Sequence, residues 1–167
     1  MSLRRFSDKE LAALERSLSE GQKATGVKYS LADVRAEIQR RRPHDFDPRQ
    51  VAATILAQVQ ESPDGFTTYG RVWDAMTGGA KWAGNSTQSK MGRELAHVLA
   101  YCHLNKLPIL TTLVVLKTDR TLSTKAIARI CEECEALGLD VGPDRATFVS
   151  AQVEASRQIV AEHLPAG

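Results

Sequence analysis

Apolar residues recur every three or four positions through most of this 167-residue chain, and this spacing predicts α-helices. Three such patterns occupy the first third, and each follows a helix-start signal. Ser-Asp-Lys-Glu at residues 7–10 is a capping box, and Ser-Leu-Ala-Asp at residues 30–33 resembles a second one. Asp47 and Pro48 place a cap before a proline at the first helical position. We therefore predict an N-terminal helical region over residues 1–62.

The rest of the chain continues the helical pattern around one short apolar segment. We predict a brief helix from Thr68 to Gly78, a long helix from Ser86 or Thr87 to Pro108, and further helices over residues 123–137 and 143–163. Residues 109–116 predict a buried strand, and Thr-Asp-Arg at residues 118–120 predicts a turn after it. The chain is therefore expected to be mainly α, with a short β element.

The composition is that of a folded protein with one respectable core, because 43% of the residues are apolar. No apolar run approaches the roughly 18 residues that a membrane-spanning helix needs. No apolar segment follows Arg4 and Arg5, as it would in a signal peptide. We therefore expect a cytoplasmic protein with no membrane partner.

Charge is distributed unevenly, although the net charge of +2 is too small for a protein that binds polyanions over its whole surface. Three consecutive arginines at residues 40–42 lie at a predicted helix end, where they complement the helix dipole or contact a phosphate. Lys81, Lys90 and Arg93 lie in the middle third. Because only 5% of the residues are aromatic, a sheet that stacks single-stranded bases is disfavoured.

Cys131 and Cys134 form a Cys-Glu-Glu-Cys pair in the middle of a predicted helix. A redox pair would need a helix N-terminus to lower a thiol pKa, and a zinc site would need a second pair of ligands. The two thiols share an apolar stripe with Ile130 and Leu137. Core packing is therefore favoured, metal or redox chemistry is the alternative, and no cofactor is expected.

Residues 66–115 carry a spaced set of motifs: Thr-Tyr-Gly at residues 68–70, Gly92, and Pro-Ile at residues 108–109. This order resembles the DNA-binding winged-helix half of the O6-alkylguanine alkyltransferases. In that family a Tyr-Gly pair opens a helix-turn-helix, a recognition helix follows, and a Pro-Ile strand leads to Pro-Cys-His-Arg. The resemblance implies a helical bundle with a winged helix-turn-helix-like core, within a domain of residues 63–167 that includes the C-terminal helices. The turn at residues 118–120 would then be the tip of the wing.

Two positions depart from the alkyltransferase pattern. Ser89 stands where the family has its nucleotide-flipping arginine, and Leu113 stands where it has its nucleophilic cysteine. A leucine cannot supply the thiolate that alkyl transfer requires. We therefore expect a protein that is not an enzyme.

A second resemblance, over about residues 64–160, is to small uncharacterised bacterial proteins often met beside mobile or restriction-related genes. It implies a fold and no activity. Residues 29–38 also resemble the helices of antitoxins from toxin–antitoxin pairs. These likenesses keep open a second function, a regulatory or immunity-like module that binds another protein and no nucleic acid.

The alkyltransferase-like fold would present the start of the long helix to duplex DNA. A helix start offers free N–H groups to a phosphate, and basic side chains three apart lie on one side of a helix. The predicted nucleic-acid-binding residues are Tyr69, Arg71, Lys81, Ser86, Ser89, Lys90 and Arg93. The simpler alternative is a core tyrosine and a solvated charged face. An exposed basic face favours DNA, whereas a buried or acidic one favours a protein partner.

His97, Tyr101 and His103 form a separate candidate group on the long helix. Two histidines and a tyrosine could serve proton transfer. No nucleophile or phosphate-binding loop accompanies them, so catalysis is the least favoured hypothesis.

Overall fold

The computed structural model describes residues 2–21, 28–118 and 121–166. These residues form a mainly α fold with one short β element, which confirms the predicted fold class at that level. The helices are α1 (Asp8–Ser19), α2 (Leu31–Arg41), α3 (Pro48–Gln60), α4 (Tyr69–Thr77), α5 (Asn85–Leu104), α6 (Thr124–Leu137) and α7 (Arg145–Arg157). The strands are β1 (Thr67–Thr68) and β2 (Val114–Val115), and short 3₁₀ helices cover Leu3–Arg5, Leu110–Leu113 and Ala161–His163.

The predicted capping boxes open α1 and α2. The Ser7 hydroxyl accepts from the Glu10 N–H, and the Glu10 carboxylate accepts from the Ser7 N–H at 2.7 Å. Ser30 and Asp33 make the same reciprocal pair at the start of α2. Each box satisfies two N–H groups that a helix start would otherwise leave without a partner.

The main core surrounds α5, whose buried side chains include Leu95, Val98 and Cys102. Ile55 of α3 and Val149 of α7 belong to the same core, so residues on both sides of the predicted division at residue 62 are packed together. A smaller apolar cluster joins α1 and the N-terminal segment to α2. None of the described helices is long and apolar enough to cross a membrane.

The β element differs from the predicted strand. Residues 110–113 form a 3₁₀ helix, because the N–H and the hydroxyl of Thr112 both donate to the Ile109 carbonyl, at 3.0 and 2.7 Å. Only Val114 and Val115 are extended, and they pair in parallel with Thr67 and Thr68. The strand prediction was therefore wrong over most of its length, because a short apolar run does not separate a buried strand from a buried helical turn.

The predicted tip of the wing lies partly outside the described residues, and the wing stays a prediction. Lys117 and Thr118 form a turn after β2, and residues 119–120, the rest of the predicted tip, lie outside the described ranges. Within those ranges the only strand pair is the parallel one between β1 and β2. The last helix is also shorter than predicted, since α7 ends at Arg157 and a 3₁₀ turn follows.

Candidate nucleic-acid interface

The start of α5 is held in place by the loop that joins it to α4. Gly78 ends α4 in the left-handed conformation with φ 67°, and Gly84 precedes α5 with φ 59°. The Thr87 hydroxyl accepts from the Ala83 N–H at 2.9 Å, which ties the loop to the first turn of α5. No side chain caps α5 at Gly84, so its first N–H groups have no side-chain acceptor.

Two tryptophans fix the same loop against the helices. The indole N–H of Trp73 donates to the Ala80 carbonyl at 2.8 Å, and the Trp82 ring meets the Trp73 ring edge-on with centroids 6.5 Å apart. The Lys90 ammonium lies 5.6 Å from the centroid of the Trp73 ring. These contacts hold the segment that carries Lys81 beside the start of α5.

Five of the seven predicted site residues belong to this region, and we call them the α5 face: Lys81, Ser86, Ser89, Lys90 and Arg93. Four of them are exposed, and the Lys90 side chain is 37% exposed. Lys90 forms an ion pair with Asp45 at 2.6 Å. The Lys90 hydrogen bond and charge, together with the charge of Arg93, lower the pKa of Asp45. The α5 face is therefore exposed and basic, with one carboxylate that offsets part of its charge.

A buried carboxylate explains why Asp45 lies there. Glu94, which is 5% exposed, accepts from the N–H groups of Asp45 and Phe46 at 3.2 and 3.3 Å. These bonds pin the loop between α2 and α3 to the side of α5. The sequence carried no signal for this role, because the partners are backbone groups 48 and 49 residues away.

Tyr69 and Arg71 do not share the α5 face. Tyr69 is 6% exposed, and its ring lies 5.2 Å from the Arg129 guanidinium of α6. Burial raises the pKa of its hydroxyl. Arg71 faces α3, where its guanidinium lies 3.9 Å from the Glu61 carboxylate. Tyr69 is thus a core residue, as the simpler alternative predicted.

The three consecutive arginines have different positions. Arg40 and Arg41 both bind Glu37, a carboxylate that is 2% exposed, at 2.8 Å. Burial raises the pKa of Glu37, but the hydrogen bonds and charges of the two arginines outweigh it and leave that pKa lowered. Arg41 also donates to the backbone carbonyls of Leu3 and Phe6. Among the three, only Arg42 is exposed, and it adjoins the pinned loop.

The cysteines and the nucleophile position lie inside the core. Burial raises the pKa of Cys102 and of Cys134 to about 12, and raises that of Cys131. Thiolates are therefore rare at neutral pH, which supports packing as their role. Leu113 is fully buried. Within the described ranges, no three His, Cys, Asp or Glu side chains are grouped so that they could hold a metal ion.

His97, Tyr101 and His103 each have a separate structural partner. His97 is 4% exposed, packs against the His44 ring with centroids 4.8 Å apart, and has a pKa lowered by burial and by the His44 charge. The Tyr101 hydroxyl donates to the Pro165 carbonyl at 2.6 Å. His103 pairs with Asp33 at 2.9 Å. All three line one cavity beside α5, where each is held by a different partner.

Comparison with protein families, curated proteins and solved structures finds no match for this chain. Its function must therefore be inferred from the geometry and charge of its own side chains.

Proposed function

We propose that this chain is a non-catalytic protein that binds duplex DNA through the N-terminal half of α5. The observation that carries the proposal is the α5 face, which joins three basic and two hydroxyl side chains on one exposed surface. Lysine and arginine neutralise DNA phosphates, and hydroxyl groups hydrogen-bond to them. The start of α5 adds N–H groups and the positive end of a helix dipole.

The size of α5 suits the major groove. An α-helix with its side chains is about 10–12 Å across, which fits the major-groove width of about 12 Å, and the N-terminal half of α5 carries the exposed Ser86, Ser89 and Arg93. The second helix of a helix-turn-helix enters DNA with its N-terminal residues, and α4 precedes α5 here in that order. In the proposed role α5 is the recognition helix, and the alkyltransferase-like winged helix is the arrangement that presents it.

The scarcity of exposed apolar side chains argues against the protein-binding alternative. Among the described residues, the only exposed large apolar side chains are Leu116 and Val160, which are 40% and 39% exposed. Protein interfaces have a desolvated core that is richer in apolar and aromatic groups than this. The α5 face therefore fits a polyanion better than an apolar protein partner.

A salt-titrated gel-shift assay with double- and single-stranded DNA of the same sequence tests the proposal. We expect the wild type to bind the duplex at low salt, with affinity falling steeply as salt rises. Three phosphate contacts would give a log–log slope of about −3. The double variant Lys90→Glu/Arg93→Glu should abolish duplex binding. Absence of wild-type binding at low salt, or equal binding by the variant, would refute the proposal.

Two further variants separate DNA contact from misfolding. Lys81→Glu/Arg93→Glu leaves the Lys90–Asp45 pair intact and should also remove binding. Lys9→Glu/Arg16→Glu makes the same change in charge on the exposed surface of α1, and this variant should keep most of the affinity for duplex DNA. If the α1 variant lost as much affinity as the α5 variants, overall charge rather than the α5 face would be responsible.

A further inference from the structure

A cavity of about 950 Å³ lies between the N-terminal segment, α2 and the C-terminal half of α5. This volume is near the upper end of the roughly 300–1,000 Å³ typical of small-molecule sites. Part of its lining is apolar or aromatic, supplied by Leu3, Tyr101, Leu104 and Leu107. The cavity can therefore enclose an organic molecule rather than a single ion.

The N-terminal side of the cavity is held in a fixed position. Arg41 donates from α2 to the carbonyls of Leu3, Arg4 and Phe6, at distances from 2.8 to 3.3 Å. Its ion pair with the buried Glu37 holds the guanidinium in that position. A site formed before its ligand arrives loses less ordering entropy on binding.

The acidic groups that line the cavity already have partners. Asp33 accepts from the Ser30 N–H at 2.8 Å and pairs with His103, and Glu37 binds two arginines. Asp47 caps α3 by accepting from the Arg49 N–H at 2.9 Å. The carboxylates of Asp33 and Glu37 are thus held by side-chain partners, whereas Asp47 keeps its negative charge, because a backbone N–H does not neutralise it.

Three basic side chains that line the cavity differ from these acids: Arg4, Lys28 and Lys106. The ion pairs found among the described residues include none of the three. They come from three separate segments, the N-terminal 3₁₀ helix, the residues before α2 and the turn after α5. These three cations outnumber the one described lining carboxylate without a side-chain partner, Asp47, so the unpaired charge of the cavity lining is net positive.

Lys106 also has an unusual backbone. Its φ is 56°, and it is the only described residue other than glycine with a positive φ. The position follows the end of α5, where the Leu107 N–H donates to the Cys102 carbonyl at 2.9 Å, and glycine is the usual residue at such a helix end. A lysine in left-handed geometry is strained, and strained residues cluster at functional sites.

We propose that this cavity binds a small phosphorylated molecule of mononucleotide size, with its phosphate at Arg4, Lys28 and Lys106 and its flat body against Tyr101, Leu104 and Leu107. Three cations suit a group with about two negative charges and three acceptor oxygens better than a single carboxylate. The site is independent of the α5 face, so it stands or fails separately from DNA binding.

Isothermal titration calorimetry on the full chain tests the site with four probes: AMP, phenyl phosphate, adenosine and inorganic phosphate. AMP and phenyl phosphate should bind, because each joins a phosphate to a ring. Adenosine and inorganic phosphate should each bind at least tenfold more weakly, since each lacks one half of the proposed contacts. Equal binding of adenosine and AMP, or no binding of AMP and phenyl phosphate at 5 mM, would overturn the proposal.

The variant Lys106→Gly separates binding from folding. It removes one cation and relieves the left-handed strain, so affinity for AMP should fall roughly tenfold while Tm stays level or rises by about 2–4 °C. The control Lys125→Ala removes an exposed cation from α6 and should leave affinity unchanged. Unchanged affinity in Lys106→Gly, or an equal loss in the control, would refute the assigned phosphate position.

Discussion

Two basic regions of this protein, the arginine run at residues 40–42 and the α5 face, use their charges differently. On α2, Arg40 and Arg41 both bind the buried Glu37, and Arg41 also donates to carbonyls of the N-terminal segment. On the α5 face, Lys90 pairs with the exposed carboxylate of Asp45 and lies over the Trp73 ring, and Arg93 is exposed. The charge of the first cluster is neutralised by a buried carboxylate within the fold, whereas most of the charge of the α5 face is exposed to solvent. A run of basic residues becomes a basic surface only where no buried carboxylate neutralises it.

The largest effect is expected on the α2 side of this comparison. Glu37→Gln keeps the shape of the side chain but leaves Arg40 and Arg41 without their buried counter-charge. Loss of one partner of a buried ion pair is strongly destabilising, and we expect the free energy of unfolding to fall by about 3 kcal/mol at pH 7. Urea denaturation measures this. A loss below about 1 kcal/mol would show that the ion pairs of Glu37 contribute no more to stability than an exposed pair such as Lys90–Asp45.

The same pair predicts a dependence on pH. The folded pKa of Glu37 lies below its ordinary value of 4.5, so its contribution to stability is fully present above that value and is lost as pH falls through the folded pKa. The difference between wild type and Glu37→Gln should therefore stay constant from pH 7 to about pH 5.5 and shrink below 4.5. A difference that grew on acidification would contradict the assigned ion pair.

Glu94→Ala should give the next largest effect, because it leaves the part-buried N–H groups of Asp45 and Phe46 without an acceptor. We expect a loss of about 2 kcal/mol in the free energy of unfolding. The loop would also be released from α5, so amide hydrogen exchange at Phe46 should accelerate. Glu94→Gln retains one acceptor oxygen and should lose less stability. Equal stability of wild type and Glu94→Ala would rule out the anchoring role.

Much of the fold could be predicted from local chemistry, and much of the site could not. The capping boxes at Ser7 and Ser30 were predictable because all their partners lie within three residues. Leu110 to Leu113 was mistaken for strand because its apolar run has no period that separates the two structures. The roles of Glu37 and Glu94 were unpredictable, since each depends on contacts made only after the helices have packed.

The proposed DNA contact of the α5 face can be tested by removing the carboxylate of Asp45, which offsets part of its positive charge. Asp45→Asn leaves the backbone bonds to Glu94 in place and deletes the carboxylate beside Lys90 and Arg93. If the face binds DNA, affinity at low salt should rise roughly three- to tenfold, and the gain should diminish as salt screens the charges. Fluorescence anisotropy with a labelled duplex measures both. Unchanged affinity would place the DNA contact elsewhere, and thermal stability should barely differ from that of the wild type.

The smallest effect is expected at Tyr69, and it decides whether the motif that resembles the alkyltransferases contacts DNA directly. The hydroxyl is buried beside Arg129, which holds the ring against α6. Tyr69→Phe should therefore cost about 1 kcal/mol in the free energy of unfolding and leave duplex affinity unchanged. If duplex affinity fell tenfold while stability stayed level, the tyrosine would have to reach DNA through a rearrangement of α6. The boundary of the proposed interface would then extend from the α5 face to the start of α4.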